Sequence, residues 1–297
     1  MKSLKSISLV SLVFLAACSQ NNKGSQNSKS NLDRSGIIGG TIVESLDEIS
    51  RSTVGLRMFE QAPGAAPSYQ GRCTGSLIRA DLILTAAHCM PTVRPGNRGG
   101  LMVIFSQNLD APESIGSAVI SYKYLAHELY GSPEQAKKDQ EAQMANPNVV
   151  INTYDMALVK LSAPAPQGYV PAKVLLNETF LKEESLVTIA GFGLNSDVNK
   201  TIDGHLRKAQ VSSLGHYGKE FVVDQQNGSG VCSGDSGGPA FIEVEGTQYL
   251  WGVASRVIPK DNPEDKTNWA YCSFLAIHSK VSSYFDFIIK TTAELDK

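Results

Sequence analysis

The chain has 297 residues, of which 42% are apolar and 19% are charged. This apolar content is typical of a globular protein and excludes a disordered chain, and the length allows one large hydrophobic core or two smaller ones. Residues 1–36 contain five Lys/Arg and one Asp, so residues 37–297 retain 22 of the 27 basic and 28 of the 29 acidic residues, a formal net charge of −6. That charge disfavours a nucleic-acid partner, because phosphates bind basic surfaces.

The first 18 residues have the layout of a secretory signal. Lys2 and Lys5 precede an apolar stretch, residues 7–15, that is too short to span a bilayer as a stable helix. Its end, Leu-Ala-Ala-Cys18, resembles the lipobox of bacterial lipoproteins, which would make Cys18 a lipidated residue that tethers the chain to a membrane. An ordinary signal peptide is the alternative. Because Ser19 is not acidic, the lipobox resemblance implies the outer membrane if the cell is Gram-negative.

Residues 19–36 form a polar stretch in which Leu32 is the only large apolar side chain. Such a stretch cannot bury enough apolar surface to fold. We therefore expect a flexible tether or a propeptide here, and a folded domain over residues 37–297.

Between residues 37 and 280 the apolar runs are short, rich in β-branched residues and separated by Gly, Pro, Asn and Ser. This spacing predicts an all-β fold. Residues 163–166, Ala-Pro-Ala-Pro, predict a crossing between a first half, about 37–162, and a second half, about 163–280. Beyond them, apolar residues recur at helical spacing from Val281 to Ile288, which predicts a C-terminal helix over about residues 281–293.

Three short motifs carry side chains that can perform nucleophilic catalysis. Ser-Gly-Asp-Ser236-Gly-Gly-Pro surrounds a serine with glycines, which permit a tight turn and bring backbone N–H groups close to a substrate carbonyl. Thr-Ala-Ala-His88-Cys follows an apolar strand and offers a general base, and Asp155 directly precedes another apolar run. Each motif alone also has a structural explanation: a Gly-Ser-rich surface turn, a core histidine or a strand-start cap. In the order His, Asp, Ser they form a candidate triad, in which the base activates the serine hydroxyl.

From about Ile37 to its C-terminus, the chain resembles the chymotrypsin-like serine endopeptidases of the trypsin superfamily. Five short motifs carry the resemblance in the family's order: Ile37-Ile-Gly-Gly40, Cys73-Thr-Gly-Ser-Leu77 with Thr85-Ala-Ala-His-Cys89, Asp155-Met-Ala-Leu158, Gly191-Phe-Gly193 and Gly234-Asp-Ser-Gly-Gly-Pro239. The resemblance implies two antiparallel Greek-key β-barrels with the active site between them, and a C-terminal helix packed on the second barrel. It also implies an enzyme that hydrolyses peptide bonds in polypeptide substrates.

The resemblance assigns a role to each catalytic candidate. His88 would take the proton of Ser236 and later return it to the leaving amine, while Asp155 would fix the imidazole tautomer and stabilise its charged form. The backbone N–H groups of Gly234 and Ser236 would form the oxyanion hole.

The same resemblance implies a zymogen. In this family a newly exposed α-amino group inserts beside the Asp that precedes the nucleophile, here Asp235, so cleavage of the Gly36–Ile37 bond would be the activating step. The bond follows a Gly instead of the Arg or Lys usual in the family, and it would require an activating protease of unknown identity. The cut would also release the domain from any lipid attached to Cys18.

Apart from Cys18, the chain has four cysteines, which permit three disulfide pairings. The resemblance selects the pairing of Cys73 with Cys89 and of Cys232 with Cys272, and such bonds agree with export to an oxidising compartment. The sequence contains no Cys-x-x-Cys or His-x-x-x-His spacing of the kind found in metal sites. The cysteine spacing gives no support to a metal site made of the four cysteines, and because the acids of the family's calcium loop do not align either, we expect no metal; we also expect no cofactor.

The resemblance also locates the pocket for the substrate side chain that precedes the scissile bond. Gly230 stands where trypsin-like members have an acid, which disfavours Arg or Lys, and Val257 and Ala276 would narrow the walls. The pattern is similar to the elastase-like branch and predicts small aliphatic side chains. Arg256 replaces an aromatic residue usual in the family, and would either favour an acidic group further along the substrate or point into solvent. The predicted pocket residues are Gly230, Val231, Ser255, Val257 and Ala276.

Two other functions remain open on the sequence alone. The same fold occurs in pseudoproteases that serve as surface binding modules, and the chemistry would also suit an esterase acting on non-peptide acyl groups. The complete candidate triad and Asp235 favour a protease, which we expect to be a monomer. It would be an outer-membrane lipoprotein, or a secreted or periplasmic enzyme after release.

Overall fold

In the computed structural model, residues 37–45, 47–260 and 271–297 are described. The predicted signal segment with Cys18, the predicted tether and Gly36 lie outside the described residues. Within the described ranges, no helix is both long enough and apolar enough to cross a membrane.

The described chain folds mainly into strands. The elements of its first half are β1 (Thr41–Ile42), α1 (Glu48–Ser52), β2 (Thr53–Gln61), β3 (Ser68–Arg79), β4 (Leu82–Thr85), β5 (Arg98–Ile104), β6 (Ala118–Ser121), β7 (Lys123–Ala126), α2 (Pro133–Ala145) and β8 (Ala157–Lys160). Those of its second half are β9 (Lys173–Val174), β10 (Leu186–Gly191), β11 (Arg207–Tyr217), β12 (Glu220–Asp224), β13 (Pro239–Val244), β14 (Thr247–Ile258), β15 (Leu275–Lys280) and α3 (Phe285–Leu295).

The first sheet has the strand order β6-β5-β2-β3-β4-β8-β7, and its neighbours run antiparallel. Its two edge strands, β6 and β7, follow each other in the chain with only Tyr122 between them. The chain itself therefore bends from one edge of the curved sheet to the other. Leu56, Ile83 and Val103 are fully buried in its core, and burial of each such side chain stabilises the fold by about 2 kcal/mol.

The second sheet has the order β1-β11-β10-β13-β14-β15-β12, and β12 pairs again with β11, which closes six strands into a barrel. Phe221 and Trp251 pack edge to face in its core, with ring centroids 5.0 Å apart. The predicted all-β fold with two barrels and a C-terminal helix is confirmed, with two differences. The first barrel is open between its edge strands, and β9 pairs with β14 in parallel.

The boundary between the two halves differs from the prediction at the N-terminus. β1 pairs with β11, so residues 37–43 lie on the second sheet and not with the first half, about 37–162. The reason is that this segment finds its backbone partners there. The Ile38 N–H donates to the Gly230 carbonyl over 2.9 Å, and the Gly230 N–H donates back over 3.0 Å.

The C-terminal helix packs against β7 and β8 of the first sheet. It begins at Phe285, after a 3₁₀ turn over Ser282–Tyr284, instead of at 281. The expectation that it packs on the second barrel is wrong, because its apolar face joins the core of the first sheet, where Phe287 lies 4.8 Å from the ring of His127. At its end, Asp296 forms an ion pair with Arg79 over 2.6 Å.

Two disulfides fix segments that flank the catalytic candidates. Cys73–Cys89 joins β3 to the turn that holds His88, and Cys232–Cys272 joins the loop before Ser236 to the segment before β15. They close loops of 16 and 40 residues, each worth about 3 kcal/mol or more in the chain-entropy description.

Candidate active site

Strand pairing brings His88 and Asp155 together. β4 and β8 are antiparallel neighbours, with Thr85 opposite Ala157. A 3₁₀ turn over Ala87–Cys89 follows the end of β4, and Asp155 stands two residues before β8 begins. Because the end of β4 and the start of β8 meet at the same edge, the His88 Nδ1 lies 2.8 Å from Asp155 Oδ2.

The Asp155 carboxylate is buried, with 4% of the residue exposed, and three donors surround it. Besides the His88 ring, the His88 backbone N–H donates over 3.0 Å and the Ser255 hydroxyl over 2.7 Å. A buried charge requires such donors. With the Nδ1 hydrogen directed at the carboxylate, Nε2 of His88 is left as the acceptor that a general base needs.

Ser236 lies in the loop between β12 and β13, and this loop is bound to both sheets. The Thr74 N–H of β3 donates to the Ser236 carbonyl over 2.8 Å, and the Gly237 N–H donates to a carbonyl of β14 over 2.8 Å. Gly237 has φ of +77°, and a Cβ there would overlap Thr85 Oγ1, so the loop approaches the end of β4 directly. Ser236 therefore lies beside the turn that carries His88.

The structure joins two members of the candidate triad directly and places the third beside them. Among the described residues, no hydrogen bond links the Ser236 hydroxyl to the His88 ring. Catalytic hydrogen bonds of this kind are often long until substrate binds.

The backbone N–H groups of the Ser236 loop fall into two sets, one that donates to carbonyls of the protein and one predicted to face a substrate oxyanion. The N–H groups of Asp235, Gly237 and Gly238 each donate to a backbone carbonyl of the protein. The N–H groups of Gly234 and Ser236 alternate with them and are the pair predicted to bind an oxyanion. Gly234 has φ of +97°, a left-handed conformation that disfavours any side chain.

The Asp235 carboxylate is completely buried beneath this loop. It accepts the N–H of Gly193 over 2.7 Å and of Cys232 over 2.9 Å, and the backbone N–H of Ile37 is a further donor. Burial raises the pKa of Asp235 to about 7, against these hydrogen bonds, which lower it. A Cβ on Gly193 would lie 2.5 Å from Asp235 Oδ2, so that glycine makes room for the carboxylate.

Ile37, the other member of the predicted activation pair, is also fully buried. Its φ of +41° is a strained conformation for a β-branched residue. The structure thus brings Ile37 and Asp235 together at the N-terminal edge of the described domain.

A cavity of about 190 Å³ opens beside Ser236. Of the predicted pocket residues, Val231, Ser255 and Val257 line it; the other lining residues are Cys232, Ser233, Ala254, Arg256, Tyr271 and Cys272. Gly230 and Ala276 are not among the described lining residues, which departs from the prediction. Ala276 is fully buried in the core of the second barrel, and Gly230 faces a side chain that fills the space in front of it.

That side chain belongs to Gln225, which sequence reasoning missed. Gln225 follows β12, is 1% exposed, and binds the backbone of two lining residues, Val231 and Cys272. No motif or spacing marks it in the sequence, since its contacts exist only once the loops of the second barrel have closed.

Arg256 lines the cavity and is held by a buried acid instead of simply pointing into solvent; that it favours an acidic group on the substrate stays a prediction. Its guanidinium binds Glu220 through two hydrogen bonds, of 2.8 and 2.7 Å, and Glu220 is fully buried. The Thr153 hydroxyl donates to the same carboxylate over 2.6 Å. The charge of Arg256 is thereby paired within the protein, and the network connects β14, part of which lines the cavity, to the segment that leads to Asp155.

Two clusters of possible metal ligands occur in the described part of the chain: His88 with the Cys73–Cys89 disulfide, and Asp197 with the Cys232–Cys272 disulfide. The thiolate is the form of cysteine that binds metals, and both sulfurs of each cluster are in a disulfide. Asp197 instead accepts the Cys272 N–H over 2.5 Å and pairs with Lys200.

Comparison with known proteins points to one family. The family model described as Trypsin matches residues 59–288. Brachyurin of Leptuca pugilator is 31% identical over 193 residues, which cover 62% of this chain and 74% of the relative. Serine protease SSP1 of Scolopendra subspinipes is 27% identical over 248 residues, with 76% of this chain and 75% of the relative covered. Chymotrypsin-like elastase family member 1 of Macaca fascicularis is 27% identical over 241 residues, with 76% and 80% covered.

Proposed function

This chain belongs to the trypsin family of chymotrypsin-like serine endopeptidases, and from that premise we propose that it hydrolyses peptide bonds through an acyl-enzyme formed on Ser236. The observation that carries the proposal is the 2.8 Å contact between His88 Nδ1 and the buried Asp155 carboxylate, beside a cavity whose wall includes Ser236. A histidine oriented in this way presents its Nε2 as the acceptor that a general base needs.

In the proposed reaction, Ser236 Oγ attacks the substrate carbonyl carbon while His88 Nε2 takes the hydroxyl proton. The C–N bond then breaks, and His88 gives the proton to the leaving amine. Water then attacks the acyl carbon while His88 takes its proton, the ester C–O bond breaks, and His88 returns the proton to Ser236 Oγ. Asp155 holds the imidazole through its hydrogen bond and stabilises the imidazolium, and the Ser255 hydroxyl donates to the same carboxylate oxygen.

The oxyanion formed at each attack would be bound by the backbone N–H groups of Gly234 and Ser236. Their position in a loop held by hydrogen bonds from three neighbouring N–H groups supports a preorganised site. Loss of one such donor typically costs about 10²- to 10³-fold in kcat.

Cleavage of the Gly36–Ile37 bond, by an activating protease, would convert an inactive precursor to the enzyme. Two observations on Ile37 support this step. The buried Asp235 carboxylate has a pKa of about 7 and lies beside the Ile37 nitrogen, where a new ammonium would compensate its charge. The strained φ of +41° also involves the preceding carbonyl, which cleavage removes.

We propose export on the strength of the signal-like residues 1–18 and of two disulfides. If Cys18 is lipidated, the activating cut would release the domain from the membrane. Mass spectrometry of the N-terminus in membrane and soluble fractions tests this scheme. An active, membrane-bound form that begins at Cys18 would contradict it.

The function itself is tested by profiling cleavage of a mixed peptide library with oxidised protein that begins at Ile37, against a Ser236→Ala control. We expect cleavage after small aliphatic residues, absent from the control, and covalent labelling of Ser236 by a fluorophosphonate. Cleavage after Tyr or Phe would keep the protease and reject the narrow pocket. If the protein neither labels nor cleaves, the protease proposal fails in favour of a non-catalytic binding module.

A further inference from the structure

A buried amide lies behind the lining of the substrate cavity. Gln225 is 1% exposed, and its side-chain amide makes three hydrogen bonds to the backbone of residues that line the cavity. Its Oε1 accepts the Val231 N–H over 2.6 Å, and its Nε2 donates to the Cys272 carbonyl over 2.5 Å and to the Val231 carbonyl over 3.3 Å. Both partners line the cavity beside Ser236.

The same side chain occupies the space in front of Gly230. A Cβ on Gly230 would lie 2.5 Å from Gln225 Oε1 and 2.8 Å from its Cγ. Gly230 is held in place by the paired hydrogen bonds to Ile38, of 2.9 and 3.0 Å, so the backbone cannot easily withdraw. Gln225 and a side chain at position 230 therefore exclude each other.

Cys272 is fixed from a second direction as well. Its N–H donates to Asp197 over 2.5 Å, while its carbonyl accepts from Gln225 over 2.5 Å. Asp197 is itself 5% exposed and comes from a different loop, after β10. The two side chains and the disulfide to Cys232 hold this wall at a set distance from Val231.

We propose that Gln225 is the specificity-determining residue at the base of the primary pocket. Packed behind the lining residues Val231 and Cys272, it limits the depth of the pocket in place of residue 230 and keeps that end of the pocket neutral, so that the enzyme accepts short, uncharged side chains before the scissile bond. This inference rests on the proposed function.

The first test truncates the amide. The full-length chain, with a cleavage sequence for a purified processing protease in place of residues 33–36, is cut to expose Ile37, and active sites are counted by fluorophosphonate labelling. Values of kcat/KM are measured on peptide amides that differ only in Ala, Val, Leu, Phe or Lys before the scissile bond. We expect Gln225→Ala and Gln225→Ser to raise the Leu/Ala ratio about tenfold or more, as a space of one or two methylenes opens. Gln226→Ala, at the exposed neighbour, should leave the ratio unchanged.

The second test keeps the size and changes the charge, in case the truncated variants do not fold. Gln225→Glu would place a carboxylate at the base of the pocket, and we expect the Lys/Ala ratio to rise about tenfold or more. A residue with a purely structural role would lower kcat/KM for all substrates in parallel and move neither ratio.

The outcomes separate this inference from the proposed function. If the unmutated enzyme labels and cleaves but no labelled Gln225 variant changes either ratio, the inference is wrong and the protease stands. If Gln225→Ala, Gln225→Ser and Gln225→Glu all fail to label, Gln225 is required for folding and its proposed role in specificity is rejected. If the unmutated enzyme neither labels nor cleaves, the proposed function fails before the inference is reached.

Discussion

The buried Asp235 carboxylate should make the uncleaved chain less stable as the pH rises. Its pKa is raised from 3.8 to about 7 by burial, a difference of about three units, which corresponds to about 4 kcal/mol between the two protonation states. Between these two values the folded protein holds a proton that the unfolded chain has released. The free energy of unfolding therefore falls as the pH climbs through that window.

Linkage gives the size of the effect over an accessible range. For a carboxyl whose pKa is 3.8 unfolded and about 7 folded, the loss of stability between pH 5 and pH 8 is about 2.5 kcal/mol. Asp235→Asn keeps the shape and removes the titration, so its stability should lack this decline. Both proteins carry Ser236→Ala to prevent autolysis, and retain an intact Gly36–Ile37 bond.

Urea unfolding at pH 5 and pH 8 gives the loss of unfolding free energy between the two pH values for each protein, and the prediction concerns the difference between these two losses. Contributions from all other titrating groups cancel, because both proteins share them. After cleavage at Gly36–Ile37, the new ammonium should stabilise the Asp235 anion and abolish the decline, and the pairing should raise the pKa of the α-amino group. Stability from that pair is then complete at neutral pH and lost as the pH rises through the raised pKa. If the uncleaved Asp235 and Asp235→Asn proteins lose the same stability between pH 5 and pH 8, the reasoning is refuted.

Three further predictions concern Ser255 and Arg256, which line the cavity, and His278, a fully buried residue of β15. Ser255→Ala removes the 2.7 Å hydrogen bond to Asp155, and should lower kcat about tenfold with little change in KM; a loss confined to KM would contradict a role in supporting the base. Arg256→Met leaves the buried Glu220 charge unpaired. We expect it to lower the free energy of unfolding by about 2 kcal/mol, which is less than for a wholly buried pair because the arginine is partly exposed. Adding Glu220→Gln should restore most of that stability, as measured by urea unfolding. Burial lowers the pKa of His278 to about 4, so stability should be lost as the pH falls from about 6.5 to 4, and His278→Phe should flatten this part of an acid-unfolding curve if the fold tolerates the ring.

The triad candidates could be found in the sequence because each belongs to a short motif of neighbouring residues. His88 follows the end of β4 and Asp155 precedes β8, so a local reading places both at strand ends. The motifs do not show which strand ends lie next to each other in the folded protein; only the family resemblance predicts that pairing. The 2.8 Å contact between the two side chains depends on the antiparallel pairing of β4 with β8.

Other features could not be predicted from local pattern. The helical spacing after residue 280 indicates that an apolar stripe must be buried, but it does not say on which barrel, and α3 packs on the first sheet. Gln225 carries no signal, because an isolated glutamine after a strand is usually exposed. Gln225 can be buried because Gly230, five residues later in the chain, lies against it and has no side chain.

The N-terminal segment links the proposed activation to both halves of the proposed site. Ile37 reaches Asp235, which lies under the loop that carries Gly234, while the next residue, Ile38, pairs with Gly230 in front of Gln225. A shift of this segment would therefore disturb the oxyanion donors and the base of the pocket together. In the proposed scheme a single cut at Gly36–Ile37 adds one buried ion pair, and that pair stabilises the loop geometry and the pocket depth at the same time. Activation should for this reason raise kcat and sharpen the preference for small side chains in parallel, instead of changing one without the other.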